Sequence, residues 1–141
     1  MAENLKFDPV EELIREIGKG NFVIVADDES RENEGDLIFA AQFAAPEKIN
    51  FMMKEARGLI CVPLPDEHLF RLGLKDMVAR AEDPMATAFT VSVDARLGIT
   101  TGISAHDRAR TIEVLSRPTA KPNELITPGH VFPLRAKCGG V

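Results

Sequence analysis

Tryptophan and tyrosine are absent from the 141-residue sequence, and so is any long apolar run. The longest nearly apolar stretch, LIFAAQFAA at 37–45, is far shorter than the roughly 20 residues that a transmembrane helix needs. The first ten residues, MAENLKFDPV, have neither the basic start nor the apolar segment of a signal peptide. These absences argue against a membrane partner and favour a cytoplasmic protein.

Basic runs are also absent. The chain has 17 Lys and Arg against 22 Asp and Glu, which gives a formal net charge of −5 at pH 7. A mildly acidic chain without a basic cluster argues against nucleic acid as a partner. With 45% hydrophobic and 28% charged residues, the composition predicts one globular domain over residues 1–141 that buries a core.

Cysteine and histidine are scarce, with two and three residues. Cys61 and Cys138 form no CxxC pair, so we predict reduced thiols on small buried residues. His68 and His106 fall on predicted helix surfaces, and we assign them no catalytic role. His130 follows a Pro-Gly turn and enters a predicted strand, where only a nearby carboxylate or metal site would make it a catalytic acid or base.

The sequence does contain an alternation of helix and strand patterns, without internal repeats or a linker. Helical spacing of apolar residues predicts a first helix with Asp8 as its N-cap and Pro9 as its first residue. A Ser-x-x-Asp pair, Ser104 and Asp107, predicts the capped start of the last helix. The segments that contain the predicted helices are residues 7–20, 46–58, 65–73 and 104–115, and Gly18 or Gly20 is expected to end the first helix.

Short apolar or alternating runs predict five strands. The first two read as buried on both faces, and Pro133 makes the last one an edge strand or an exposed strand end. The predicted strands cover residues 22–26, 37–41, 59–63, 88–95 and 130–136. This mixture predicts an α+β fold in which helices form a layer against a mixed β-sheet.

Residues 27–36, DDESRENEGD, hold six carboxylates and one arginine between two predicted strands. Their net charge of −5 equals that of the whole chain. Such carboxylates repel one another unless solvent or a cation lies between them. A solvated turn is one interpretation, and a site for a hard cation such as magnesium is the other. Arg31 is either an ion-pair partner of these acids or a bidentate anchor for an anionic substrate.

A second polar segment, LGITTGISAHDRAR at 97–110, runs from a Thr-Thr-Gly turn into the last predicted helix. Backbone NH groups at a helix start, two hydroxyls and Arg108 or Arg110 would suit a phosphate. The same residues equally serve to cap and solvate an ordinary helix. Both interpretations stay open at this point.

Five motifs, in this order, resemble the 3,4-dihydroxy-2-butanone 4-phosphate synthase family of riboflavin biosynthesis: DDESRENEGDLIFAA, GLICVPL, FTVSVDA, GITTGISAHDRARTI and PGHVFPLRAKCGGV. The resemblance covers nearly the whole chain. It implies an α+β homodimer with active sites near the subunit interface. It also implies a lyase that converts D-ribulose 5-phosphate into 3,4-dihydroxy-2-butanone 4-phosphate and formate, with magnesium or manganese.

Site residues follow from the resemblance by motif. It implies catalytic roles for His130, Glu32 and Asp36, and metal binding by Glu32 and Glu34. Enolisation of a ketose needs a stabilised oxyanion and placed proton carriers, which such residues supply. The implied substrate contacts come from Arg31, Glu32, Asp36, Asp27, Cys61, Thr101 and Ser104.

The resemblance further implies a continuation beyond Gly-Gly-Val, because family members carry an Arg-x-Gly-His-Thr-Glu motif there with a second metal ligand. One hypothesis is therefore an enzyme of which this chain is the N-terminal and central part, with the remainder elsewhere or fused to GTP cyclohydrolase II. Another is a catalytically inactive remnant that serves as a binding or assembly module. A third is a different metal-dependent sugar-phosphate enzyme. The intact RENEGD and PGH motifs favour the first.

Overall fold

The structure, a computed structural model, describes residues 7–28, 30 and 33–138. It divides into two compact units, Met1–Phe43 and Ala44–Val141. The expectation of one domain over residues 1–141 stays a prediction. In the described ranges, no helix combines the length and the apolar character that a membrane crossing requires.

The described residues of the first unit form an α-helix, a two-stranded ribbon and a short 3-10 helix over Ala41–Phe43. Helix α1 spans Val10–Gly18. Strands β1 (Val23–Ala26) and β2 (Gly35–Ile38) pair antiparallel. The described acids Asp27, Asp28 and Glu34 lie between the two strands in sequence, and Asp36 lies in β2. Beside the ribbon, the rings of Phe22 and Phe39 pack edge to face with centroids 5.1 Å apart.

Two predictions for this unit are wrong. The strands are not buried on both faces, since Ile24 is 69% exposed and Val25 is 48% exposed. A two-stranded ribbon has two edges and little of its own to cover its faces. Helix α1 begins one residue later than predicted, and Pro9 occupies the N-cap position in an extended conformation with no side-chain cap bond, so Asp8 is not the cap.

The second unit packs helices against a mixed three-stranded sheet in the order β3-β5-β4. Strand β5 runs parallel to β3 and antiparallel to β4, which confirms the predicted α+β class with a mixed sheet. The strands are β3 (Cys61–Leu64), β4 (Val93–Ala95) and β5 (Leu125–Arg135). The helices are α2 (Pro46–Phe51), which continues as a π-helical turn over Met52–Ala56, α3 (Asp66–Leu72) and α4 (Ala105–Ser116).

The core of this unit lies on one face of the sheet. Ile49 of α2, Leu69 of α3, Leu115 of α4 and Val131 of β5 are fully buried. Side chains alternate between the faces of a strand. Along β5, the residues on either side of Val131 are therefore half-buried on the opposite face. That second face carries His130.

Strand β5 is the central strand, so the edge position predicted from Pro133 is wrong. Pro133 is almost fully buried. The NH of Phe132 points to β3 and donates to the Ile60 carbonyl at 3.0 Å. On the other side, the Pro133 carbonyl accepts from the NH of Thr90 at 3.0 Å. The NH groups of neighbouring residues point to opposite sides of a strand, so the NH that Pro133 lacks would face residues 89 and 90. Those two residues form only isolated β-bridges, and a missing donor is tolerated there.

The thiol predictions are half right. Neither Cys61 nor Cys138 forms a disulfide, as predicted. Cys61 is half-buried at the start of β3, whereas Cys138 is exposed because it lies in the turn that follows β5. Burial of both cysteines was therefore the wrong expectation.

His68 departs from its predicted surface position on α3. Its Nε2 atom is buried and has no hydrogen-bond partner among the described residues. Burial lowers the pKa of His68 and the charge of Arg71 lowers it further, while the Leu115 carbonyl opposes both. His106 on α4 is exposed, as predicted.

His68→Gln should change how stability depends on pH. The folded-state pKa of His68 lies below 6.5, so its neutral form stabilises the fold above that pH. This contribution is lost as the pH falls below 6.5 and through the folded-state pKa. The free energy of unfolding of His68→Gln, measured by urea denaturation, should therefore fall less steeply with decreasing pH than that of the wild type. The difference in slope is at most about 1.4 kcal/mol per pH unit for one proton.

His106→Gln is the control for the substitution itself, because that side chain is 72% exposed, with Nδ1 3.6 Å from Asp107 Oδ1. It should change the acid-side slope less than His68→Gln does. If the unfolding free energies of the wild type and His68→Gln depended on pH in the same way, His68 would not be shielded from solvent in the folded state.

Candidate functional site

A buried carboxylate holds His130 in place. The Oδ2 atom of Asp94 lies 2.8 Å from His130 Nδ1, and its Oδ1 atom accepts the backbone NH of His130 at 2.9 Å. Asp94 is only 3% exposed, whereas 37% of the His130 side chain is exposed. We assign the ring proton to Nδ1, facing the carboxylate, which leaves Nε2 as the basic nitrogen.

An irregularity between β4 and β5 brings the two residues together. Val93 lies opposite Val131, but the next residue, Asp94, lies opposite Ile126, so the Thr-Pro-Gly-His segment is extra chain on β5. Gly129 donates its NH to Ser92 Oγ at 3.1 Å. A Cβ atom at Gly129 would lie 2.0 Å from the Val93 carbonyl carbon, so only glycine allows this approach.

The loop before α4 passes over the Asp94–His130 pair. A Cβ atom at Gly102 would lie 2.1 Å from Asp94 Oδ2 and 2.6 Å from His130 Nδ1. The φ angle of Gly102 is +91°, a region that side chains disfavour. Both the space and the backbone conformation therefore require glycine where the loop covers the pair.

Asp107 anchors this loop to α4. Its carboxylate is 1% exposed and accepts from Thr100 Oγ1 at 2.8 Å and from the NH of Gly102 at 3.0 Å. Burial raises the pKa of Asp107, but the hydrogen bonds from Thr100 and Gly102 outweigh it and lower the pKa to about 2. Thr111 ties α4 to β4, since its Oγ1 accepts from the NH of Ala95 and donates to the Asp107 carbonyl.

The predicted cap of α4 is confirmed. Ser104 Oγ accepts the NH of Asp107 at 3.0 Å. Arg108 donates to the Ile103 carbonyl at 3.0 Å, and Arg110 pairs with Glu113 at 2.7 Å. The role of this segment in starting helix α4 therefore explains these bonds without a bound phosphate. Substrate contacts of Ser104 and of the exposed Thr101 stay predictions.

Cys61 shares a sheet face with His130. It begins β3 opposite Phe132, and Phe132 lies two positions after His130 on β5. Residues paired across strands, and residues two apart along one strand, point to the same face. All three are half-buried.

The acidic segment is only partly described. Arg31 and Glu32, for which we predicted substrate and metal binding, lie outside the described residues. Asp28 accepts from the backbone NH of Ser30 at 2.8 Å and from its hydroxyl at 2.5 Å, a turn typical of Asp. The hydroxyl of Ser30 lowers the pKa of Asp28.

The other described acids of this segment belong to the same unit. The NH of Asp27 donates to the Glu34 carbonyl at 2.9 Å, which closes the turn, and Asp36 lies in β2 opposite Val25. Glu34 and Asp36 are exposed. Within the described ranges, no three Asp, Glu, His or Cys residues cluster as a metal site would require.

Asp94 is the site residue that the sequence reading missed. The alternation of Phe89, Val91 and Val93 on one face places Asp94 on the other face of the strand. A carboxylate inside a strand pattern needs a hydrogen-bonding partner if the strand is buried. This pattern was the available signal for a partner of Asp94, but it does not identify that partner.

The family model described as 3,4-dihydroxy-2-butanone 4-phosphate synthase matches residues 11–141. The chain belongs to this synthase family. The resemblance drawn from the five motifs is therefore confirmed.

Individual relatives agree with the family model. The 3,4-dihydroxy-2-butanone 4-phosphate synthase of Pseudomonas syringae pv. tomato is 53% identical over 137 residues, which are 97% of this chain and 37% of that protein. The riboflavin biosynthesis protein RibBA of Synechocystis is 56% identical over 137 residues, which are 96% of this chain and 25% of that protein. This chain thus spans well under half the length of either relative.

Solved structures confirm the fold. A crystal structure of a 3,4-dihydroxy-2-butanone 4-phosphate synthase in complex with two magnesium ions matches with a TM-score of 0.92 at 51% identity. The match covers 96% of this chain and 63% of that chain. A cation-free crystal structure of a synthase matches with a TM-score of 0.87 at 48% identity, over 96% of this chain and 62% of that chain.

Gly102→Ala should disrupt the covered pair. The added methyl group would overlap Asp94 Oδ2, and the left-handed backbone adds strain, so we expect a loss of about 3 kcal/mol or more in unfolding free energy. Gly58→Ala is the matched control, with a φ angle of +60° and no atom within 4 Å of the added Cβ. It should lose only about 1–2 kcal/mol. Equal losses in urea denaturation would refute the close approach at Gly102.

Proposed function

We propose that this chain forms part of a 3,4-dihydroxy-2-butanone 4-phosphate synthase, a lyase of riboflavin biosynthesis. The reaction converts D-ribulose 5-phosphate into 3,4-dihydroxy-2-butanone 4-phosphate and formate. The observation that carries the proposal is the hydrogen bond of 2.8 Å between Asp94 and the imidazole of His130, in a chain of the synthase family. A histidine oriented in this way is equipped to move protons.

His130 is the proposed proton carrier. Asp94 accepts the Nδ1 proton and stabilises the imidazolium that forms when Nε2 takes up a second proton. Enolisation removes a proton from a carbon next to a carbonyl. A water that is then eliminated must be added back before formate leaves, because the overall conversion loses only formate, and each of these steps needs protons given or removed. The half-exposed ring can reach a substrate while its partner stays shielded from water.

Magnesium, or manganese in its place, is the proposed cofactor, with Glu32 and Glu34 as its ligands. The described part of the acidic segment offers only oxygen donors, and Glu34 and Asp36 are open to solvent, which fits a hard cation that keeps several waters. When bound, such an ion supplies Lewis-acid stabilisation of an enolate oxygen. The two magnesium ions in a solved synthase structure support this choice.

Further roles are proposed from the family motifs. Asp36 is the proposed second catalytic carboxylate and a hydrogen-bond acceptor for substrate hydroxyls. Arg31 is suited to bidentate binding of the phosphate. We also propose a homodimer and a cytoplasmic location. The proposed substrate contacts are Arg31, Glu32, Asp36, Asp27, Cys61, Thr101 and Ser104.

A chimera tests the activity directly. This chain would replace the 137 matched residues of the Pseudomonas syringae synthase. We expect the chimera to release formate from ribulose 5-phosphate with magnesium. His130→Gln within it should lower the rate by about 100-fold or more, because a placed acid or base commonly contributes that much.

His68→Gln in the same chimera is the control, since His68 lies on α3 and forms no hydrogen bond with the Asp94–His130 pair. Its rate should stay within twofold of the parent, an allowance of about 0.4 kcal/mol. A chimera that folds and binds its partners but releases no formate would favour an inactive binding module.

Glu32→Gln should weaken magnesium binding without unfolding the chain. Removing one charged ligand lowers the affinity for a hard cation, whereas a substitution outside the core usually changes stability little. Isothermal calorimetry would compare this variant with Glu11→Gln, which removes the same charge from an exposed position on α1. Equal magnesium affinity in both variants would rule out Glu32 as a ligand.

A further inference from the structure

We propose that Asp107 is a positioning residue for His130, and that it acts through the Thr100–Gly102 turn and Asp94. Asp107 does not touch His130. Its carboxylate holds the backbone that covers the Asp94–His130 pair. The importance of this link for turnover rests on the proposed function, but its effect on the His130 ring does not.

Asp107 is suited to be a fixed anchor. It lies in the first turn of α4, its side chain is almost completely buried, and its pKa of about 2 keeps it ionised at neutral pH. Helix α4 is itself fixed by buried residues such as Ile112 and Leu115. A charged acceptor forms stronger hydrogen bonds than a neutral one, so the turn has little freedom to move.

Gly102 links the position of Asp107 to the Asp94–His130 pair, because it is in close contact with both. Gly102 donates its NH to Asp107 on one side, while on the other side its Cα is so close to Asp94 Oδ2 and His130 Nδ1 that no Cβ fits. A shift of the turn toward the sheet would collide with the pair. A shift away would let water reach the Asp94 carboxylate.

Asp107 also satisfies two donors of the turn. The Thr100 hydroxyl and the Gly102 NH are both bound to the Asp107 carboxylate. Without that acceptor both donors would lose this partner, and a buried donor without a partner is unfavourable. The turn would then have to move to find other partners, and Gly102 would move with it relative to the Asp94–His130 pair.

The experiment reads the His130 ring in the 141-residue chain by nitrogen NMR with labelled histidine, and His130→Gln assigns its signals. In the wild type, we expect a protonated Nδ1 whose hydrogen exchanges slowly with water. In Asp107→Ala, exchange of that hydrogen should rise about tenfold or more and the two ring nitrogen shifts should move toward each other. The signals of His68 on α3 serve as the reference for an intact fold.

Thr100 supplies a matched pair of variants in case Asp107→Ala does not fold. Thr100→Val removes one hydrogen bond to Asp107 at nearly constant volume and should shift the His130 signals in the same direction by a smaller amount. Thr100→Ser restores the hydroxyl and should restore the wild-type spectrum. His130 signals that stay unchanged in Thr100→Val and in a folded Asp107→Ala would overturn the proposal.

A second readout separates this inference from the proposed function. Formate release would be measured for Thr100→Val and Thr100→Ser in the chimera. If Thr100→Val shifts the His130 signals and lowers the rate of formate release, while Thr100→Ser does neither, both proposals are supported. Shifted signals with an unchanged rate support the positioning role and count against His130 as the proton carrier.

Discussion

The two hydrogen bonds between Asp94 and His130 are the constraint on which the rest of the site depends. They join β4 to the extra segment of β5 and use both oxygens of a carboxylate that is almost completely buried. A buried charge is tolerated only when it is paired and hydrogen-bonded. The glycines at 102 and 129 follow from this arrangement, since each lets the backbone come close enough to complete it.

The fold class could be predicted from the sequence, but several details could not. The start of α4 was predictable because the Ser104 cap is a local interaction between residues three apart. The place of β5 in the sheet was not, because Pro133 reports only that one NH is missing. Which neighbour lies on that side is decided by the distant Thr90 and Ile60.

Of the candidate site, too, the sequence predicts one part and not the other. His130 could be singled out from its motif, whereas the carboxylate that makes it chemically useful lies 36 positions away in sequence. An alternating strand pattern shows that Asp94 faces away from Val93, but not what it faces. The Asp107 network was hidden for another reason, since a Ser-x-x-Asp pair is fully explained as a helix cap. Its contacts to Thr100 and Gly102 are additional to that role.

The bond between Ala95 and Thr111 has a consequence for association of the sheet. In the described part of the chain, β4 is an outer strand of only three residues. An outer strand presents backbone groups to which another strand can add, and such addition is a route to aggregation. The NH of Ala95 is already bound to a buried hydroxyl of α4 at 2.8 Å. A strand from another molecule would have to displace that bond, so the edge of the sheet beside the candidate site is protected from β-type self-assembly.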